Sequence, residues 1–142
     1  MANFSSFSPK NLSGAVKYYA DIIELVAGDS TPELNITLRD SKTAATGKTL
    51  DASDPDTWAI LDLSAVSAVR MYFRKTNETT IIATITCSIV TPATSGVVLM
   101  AWPATTLAGL EGTYEGEIEI TYTSGKISTV QDLLRFNIRS GF

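Results

Sequence analysis

Glu115, Glu117 and Glu119 stand at every second position of the stretch GTYEGEIEITYTSGK, residues 112–126. Along one face of a strand such neighbours lie roughly 6.8 Å apart. That gap falls within the roughly 6.5–9.5 Å separating the two carboxylates of an inverting glycosidase. Acid–base work by such a pair requires one member with a raised pKa, and therefore burial or an apolar pocket. Here the carboxylates share their parity with Thr113 and Thr121, while Tyr114, Gly116, Ile118, Ile120 and Tyr122 take the other. Strict alternation of this kind reads as a half-buried strand with the glutamates on its wet side. Arg70 and Arg74 hold the outward parity of a second alternating stretch, SAVRMYFRK, in which Val69, Met71 and Phe73 point inward. Opposite charges across neighbouring strands settle a sheet face. The expected role of the glutamate row is thus ion pairing with those arginines or with a neighbouring subunit, and not catalysis.

The remaining reactive side chains are sparse. Histidine is absent from the chain, which removes the commonest general base and the commonest metal ligand together. A Ser-His-Asp or Cys-His nucleophile is excluded. Cys87 is the only cysteine, so no intrachain disulfide can form. Within TIIATITCSIV it shares the parity of Ile81, Ala83, Ile85 and Ile89, the position of a small core residue. Asp51, Asp54 and Asp56 lie in a polar run without the D-x-D-x-D-G order or closing glutamate of a calcium loop. No catalytic residue, cofactor or metal is expected, and the chain is read as a non-enzyme.

The elements that must position these residues are short alternating segments divided by turns. With 142 residues and 44% hydrophobic content, the chain can bury a core without staples. ELNITLRD places Leu34, Ile36 and Leu38 on one side; Thr76-Asn77-Glu78 turns the chain into TTIIATITCSIV. TPATSG precedes the strand VVLMAWP, Ser124-Gly125 marks a tight hairpin, and LLRFNIRS returns with Leu134, Phe136 and Ile138 inward. About seven such strands, rich in β-branched residues, predict an all-β protein: an immunoglobulin-like two-sheet antiparallel β-sandwich. It spans residues 21–142, with a long polar loop at 41–57.

Residues 1–20 form a separate N-terminal arm. Phe4, Phe7, Tyr18 and Tyr19 give it many aromatics with no core nearby to bury them, the mark of either a disordered tail or a segment that orders against a partner; the aromatics make it a candidate partner-binding arm. Apolar residues from Leu12 onward recur at helical spacing, and Ser8-Pro9 suits a helix start; DIIELVAG reads equally well as a first strand. The expectation is a helical turn or two up to about Tyr19, then a strand. A net charge of -4 gives no footprint for nucleic acid. The opening MANFSSFSPKN lacks the basic-then-apolar pattern of a signal peptide, and no apolar run is long enough for a membrane span.

Four motifs in order carry a family likeness: Gly28, Asp29, Pro32 and Leu34; then Asp62, Leu63, Ser64 and Ala68 leading into Val69–Arg74; then Gly96, Val98 and Trp102. The fourth is Gly112, Tyr114, Glu117, Glu119, Thr121, Tyr122 and Gly125. Over about Ile23 to Ile138 the chain resembles the N-terminal domain of the baseplate upper protein of tailed bacteriophages, a domain that recurs in small phage structural proteins. Three departures stand out: the longer loop at 41–57, the arm before Asp21, and an end at Phe142 where longer members continue into receptor-binding segments. The likeness implies a sandwich brick of the virion, assembled in the bacterial host cytoplasm, with other virion proteins and further copies of itself as partners. Attachment at the baseplate or a fibre is the first expectation; a capsid decoration or neck role is the alternative. LEGTYEGEI also resembles the tyrosine corner of immunoglobulin-like sandwiches, which assigns Tyr114, with Phe73 and Ile118, to fold stability. A reading from another class is a carbohydrate-binding module using Trp58, Trp102 and Tyr72 as platforms.

Overall fold

The alternation of apolar and polar residues carries through to strands along the described chain. The structure, a computed structural model, describes residues 6–7, 22–31, 33–51, 54–130 and 133–141. In chain order the strands are β1 (Ser6–Phe7), β2 (Ile22–Val26), β3 (Leu34–Ala44), β4 (Trp58–Ile60) and β5 (Val66–Lys75). They continue as β6 (Ile81–Ile89), β7 (Val97–Met100), β8 (Gly112–Tyr122), β9 (Ile127–Thr129) and β10 (Leu134–Arg139). Among the described residues the helical pieces are two 3-10 turns, Pro55–Thr57 and Ala93–Ser95. The strands pair in the order β1-β3-β7-β6-β5-β8-β10-β2, with β4 added to β3 and β9 to β8, as one curled, mixed sheet.

The concave side of the curl holds the core. Leu34, Ile36 and Leu38 from β3, Met71 and Phe73 from β5, Ile118 and Ile120 from β8, and Leu134, Phe136 and Ile138 from β10 are all buried. Each such side chain contributes about 1.5–3 kcal/mol relative to exposure. Phe73 stands at the centre, stacked on Tyr114 with ring centroids 5.3 Å apart and edge-on to Trp102 and Phe136 at 5.2 and 5.5 Å. Gly116 lies beneath this cluster: a Cβ there would come within 2.6 Å of Met71 Sδ, so the absence of a side chain is what lets β5 and β10 close over β8.

Several expectations need correction. Among the described residues the sheet has ten strands instead of about seven and is not wholly antiparallel, because β2 runs parallel to β10 from Ile22↔Arg135 to Val26↔Arg139. A two-residue period carries no information on strand direction, and β1, β4 and β9 are too short to display any period. The loop does not begin at residue 41: β3 pairs with β4 at Arg39 and Asp40 and continues through a register shift to pair again at Ala44. Asp40 holds that bend, its carboxylate accepting the Lys42 N–H and the Thr43 hydroxyl, both at 2.9 Å. Ile81 does not follow Cys87 inward but is 51% exposed, since a bulge opposite Phe73–Arg74 shifts its register. The strand VVLMAWP ends at Met100, and Trp102 lies beyond it.

Candidate functional site

The charged face is built on the longest ladder of the sheet, β5 against β8. Its register sets Arg70 opposite Glu119, Tyr72 opposite Glu117 and Arg74 opposite Glu115. The side chains lean along the strands from those positions. Arg74 Nε donates to Glu115 Oε1 at 2.7 Å, an ion pair whose carboxylate is largely covered. The Tyr72 hydroxyl donates to Glu119 Oε1 at 3.0 Å, one step along the face from its register partner. That bond to a carboxylate raises the phenol above its ordinary value of 10. Arg70 Nη1 reaches the Thr121 hydroxyl at 3.4 Å instead of a glutamate, and Glu117 is exposed. On the far side of β8, Arg135 of β10 lies opposite Glu115, and Asn137 donates to Glu24 of β2 at 3.1 Å. Polar side-chain contacts thus tie β5 to β8 and β10 to β2 across this face.

Tyr114 opens β8 on the buried parity, its hydroxyl donating to the Glu111 carbonyl at 3.3 Å, and Ile118 is fully buried two turns of the pleat later. Trp58 and Trp102 are each 5% exposed, which corrects the reading of them as sugar platforms: neither presents a ring face to solvent. Trp58 serves instead as a clamp, its indole N–H donating to the Asp51 carbonyl at 2.9 Å. The Thr57 hydroxyl adds a bond to the Asp54 carbonyl at 2.8 Å, and Asp54 Oδ1 accepts the Asp56 N–H at 3.1 Å. The aspartates of this loop thus serve its own turns, and among the described residues no three acidic or cysteine side chains gather as metal ligands. Beside the loop an open groove of about 550 Å³ lies between Arg39, Lys48, Asp56 and Ile60. Its two cations are tied to main chain, Arg39 to the Trp58 carbonyl at 3.0 Å and Lys48 to the Asp56 carbonyl at 2.9 Å.

Of the arm, Ser6 and Phe7 form β1, antiparallel to Leu38 and Arg39 of β3; Phe4, Tyr18 and Tyr19 lie outside the described residues, as does the expected helical turn. Sequence reasoning missed that β1 and β2 stand at opposite ends of the strand order. No helix among the described residues is long and apolar enough to cross a membrane.

No family model matches the chain, and no curated protein matches it. Among solved structures it is similar to CopC from Methylosinus trichosporium OB3b, at 9% identity over 100% of this chain and 97% of that one, with a TM-score of 0.45. So distant a likeness carries no functional argument.

Proposed function

We propose that this chain is a structural component of a tailed-phage virion, an immunoglobulin-like brick that attaches at the baseplate or a fibre. The observation that carries the fold half of this reading is the strand order. Divided between β7 and β6, where β7 meets only Ser88 and Ile89, it reads β1-β3-β7 and β6-β5-β8-β10-β2. This supports strands A-B-E facing C′-C-F-G of an immunoglobulin-like sandwich, with β6 at the C′ position. A first strand divided between the two ends supplies both β1 and β2. Tyr114, at the start of the F-equivalent strand and bonded to Glu111, has the position and bond of a tyrosine corner.

Fold does not imply function, so the virion half rests on the resemblance of the four motifs and on what their residues do. Gly28, with φ of +86°, turns the chain out of β2 while its N–H bonds to Leu107. Asp62 accepts both the N–H and the hydroxyl of Ser64, at 2.9 and 2.6 Å, at the entrance to β5. Gly28 and Asp62 open the first and second of the motifs that carry the resemblance. The carbohydrate-binding reading loses support, because its two tryptophans are spent on the core and on the loop clamp.

The test is gold labelling of purified phage particles with an antibody to this chain, viewed by electron microscopy. Gold at the tail end is the expected result. Gold over the head would move the protein to the capsid-decoration or neck role, and unlabelled particles would overturn the virion reading altogether.

A further inference from the structure

Strand β6 pairs with β5 over Ile81–Cys87, from Arg74↔Ile81 to Val69↔Cys87. On its other side β7 reaches only Ser88 and Ile89. Among the described residues nothing pairs with that second edge over Ile81–Cys87, so the N–H and C=O groups of roughly three residues point outward from the sheet without a strand to meet them. An open edge is a template for another strand, and proteins that stay apart blunt such edges with lysine, proline or inward charges. Lysine, proline and charge are all absent from this edge, and its bulge, opposite Phe73–Arg74, is confined to the Ile81 end. From Thr79 to Leu110 the chain carries no charged residue, and the first proline is Pro92. Ile81 and Ile82, 51% and 45% exposed, lie at the open end, and Ile82, Thr84, Thr86 and Ser88 form the outward parity.

We infer that this edge joins a second copy of the same chain, β6 to β6, antiparallel about a two-fold axis. Charge selects the occupant and the orientation. A protein with net charge of -4 repels its own copies over most of its surface, but two uncharged edges meet without burying or opposing any charge. Parallel pairing would bring Glu78, in the turn just before β6, against its own copy; antiparallel pairing sends the two turns to opposite ends. The joint continues the sheet from one protomer into the next. It is small beside the roughly 800 Å² per partner of a standard interface, so a dissociation constant in the micromolar range, about 1–100 μM, is expected. This inference does not depend on the virion reading: a dimer through β6 stands whether or not phage particles carry the protein.

Analytical ultracentrifugation of the full chain between about 1 and 300 μM should show a reversible monomer–dimer equilibrium. The open edge runs from Ile81 to Cys87 with β7 at Ser88 and Ile89, which centres the two-fold at Thr84. Thr84→Lys with Thr86→Lys then places like charges opposite and diagonal to each other, and should weaken the dimer about tenfold or more. The matching Thr84→Glu, Thr86→Glu chain should do the same, and an equal mixture of the two should restore dimers. A parent chain that is monomeric throughout would overturn the inference. So would a lysine variant that dimerises as the parent does, or a mixture that stays monomeric. Should either double variant fail to fold, oxidation of a Thr84→Cys chain decides the matter. An interchain disulfide supports the joint, and cross-linking no faster than in a Ser124→Cys control overturns it.

Discussion

Replacing Gly96 with alanine tests the junction on which the curl of the sheet depends. Gly96 sits at φ of +69° between the 3-10 turn and β7, and its carbonyl accepts the Leu38 N–H at 2.8 Å. Leu38 in turn accepts the Leu61 N–H at 2.9 Å, so three segments are tied within one turn of chain. A Cβ on Gly96 would lie 2.5 Å from Ile60 Cγ2, 2.8 Å from the Leu61 carbonyl oxygen and 3.2 Å from that of Leu38. Two of those neighbours are main chain held by the bonds just named, and cannot give way without breaking them. Left-handed backbone costs a non-glycine residue roughly 1–2 kcal/mol, and overpacking a closed site typically adds about 1–3 kcal/mol. Gly96→Ala should therefore lose roughly 2–5 kcal/mol, a large share of the about 5–15 kcal/mol that holds a domain together.

Gly47 supplies the control. Its φ is +78°, yet a Cβ there would meet nothing within 4 Å, so Gly47→Ala should show the backbone cost alone, roughly 1–2 kcal/mol. The buried tryptophans make intrinsic fluorescence during urea unfolding a direct assay, with Trp58 two residues from Ile60. In thermal melts the losses correspond to roughly 5–20 °C for Gly96→Ala and 2–8 °C for Gly47→Ala. Equal losses in the two variants, or a Gly96→Ala chain as stable as the parent, would refute the close approach of β3, β4 and β7.

Burial pushes the Cys87 thiol up to about 12, so at pH near 8 only a trace is thiolate and the folded chain should resist iodoacetamide while the urea-unfolded chain reacts readily. Labelling of the native protein at the rate of an exposed thiol would reverse the facing of β6. The two bonds from Ser64 hold the Asp62 carboxyl below its ordinary value of 3.8. A lowered folded value adds stability that is complete above the unfolded value and is lost as pH falls through the folded one. Melts of the parent should therefore steepen in their pH dependence below about pH 4, and Asp62→Asn, which keeps an acceptor but does not titrate, should flatten that limb. Identical limbs in the two proteins would remove Asp62 from the account.

The strands that carry the charged face were legible because both of their faces were written in the residues. In β8 every buried position from Tyr114 to Ile120 alternates with a polar or charged one, and β5 and β10 repeat the pattern. Cross-strand register is another matter. The side-chain period would allow Arg74 to face any of the three glutamates, and it is the long-range register of β5 on β8, with two strands between them in the chain, that sets it against Glu115. The extension of β3 through Lys42 and Thr43 has no apolar residue to announce it, since its support is the main chain of β4 and the carboxylate of Asp40. The inward reading of Ile81 failed for a related reason: a bulge displaces one residue and reverses everything beyond it. The tryptophans were ambiguous in principle, because a ring at a strand end can close the core or face a ligand, and only packing against Phe73, Phe136 and the loop decides between them.

The distribution of charge argues that the two sides of the molecule do different work. On β5, β8, β10 and β2 the polar side chains hold one another: Arg74 with Glu115, Tyr72 with Glu119, Asn137 with Glu24. A partner binding there would have to break these contacts before making its own, which lowers the net gain from every new hydrogen bond. At the β6 edge the outward groups are main-chain donors and acceptors, and a partner strand exchanges only their water for a ladder. Assembly through that edge therefore costs no internal contact, and it leaves the charged face in water. A single joint of this size is weak and, closed by its two-fold, joins two copies only. In the virion proposed above, where a second contact would tie each dimer to its neighbours, it gains by avidity what it lacks in area. The same arithmetic predicts that charge placed at Thr84 and Thr86 should cost far more in particle incorporation than in the affinity of one isolated dimer. Incorporation that falls only in proportion to the dimer affinity would mean that the edge is not the repeated contact.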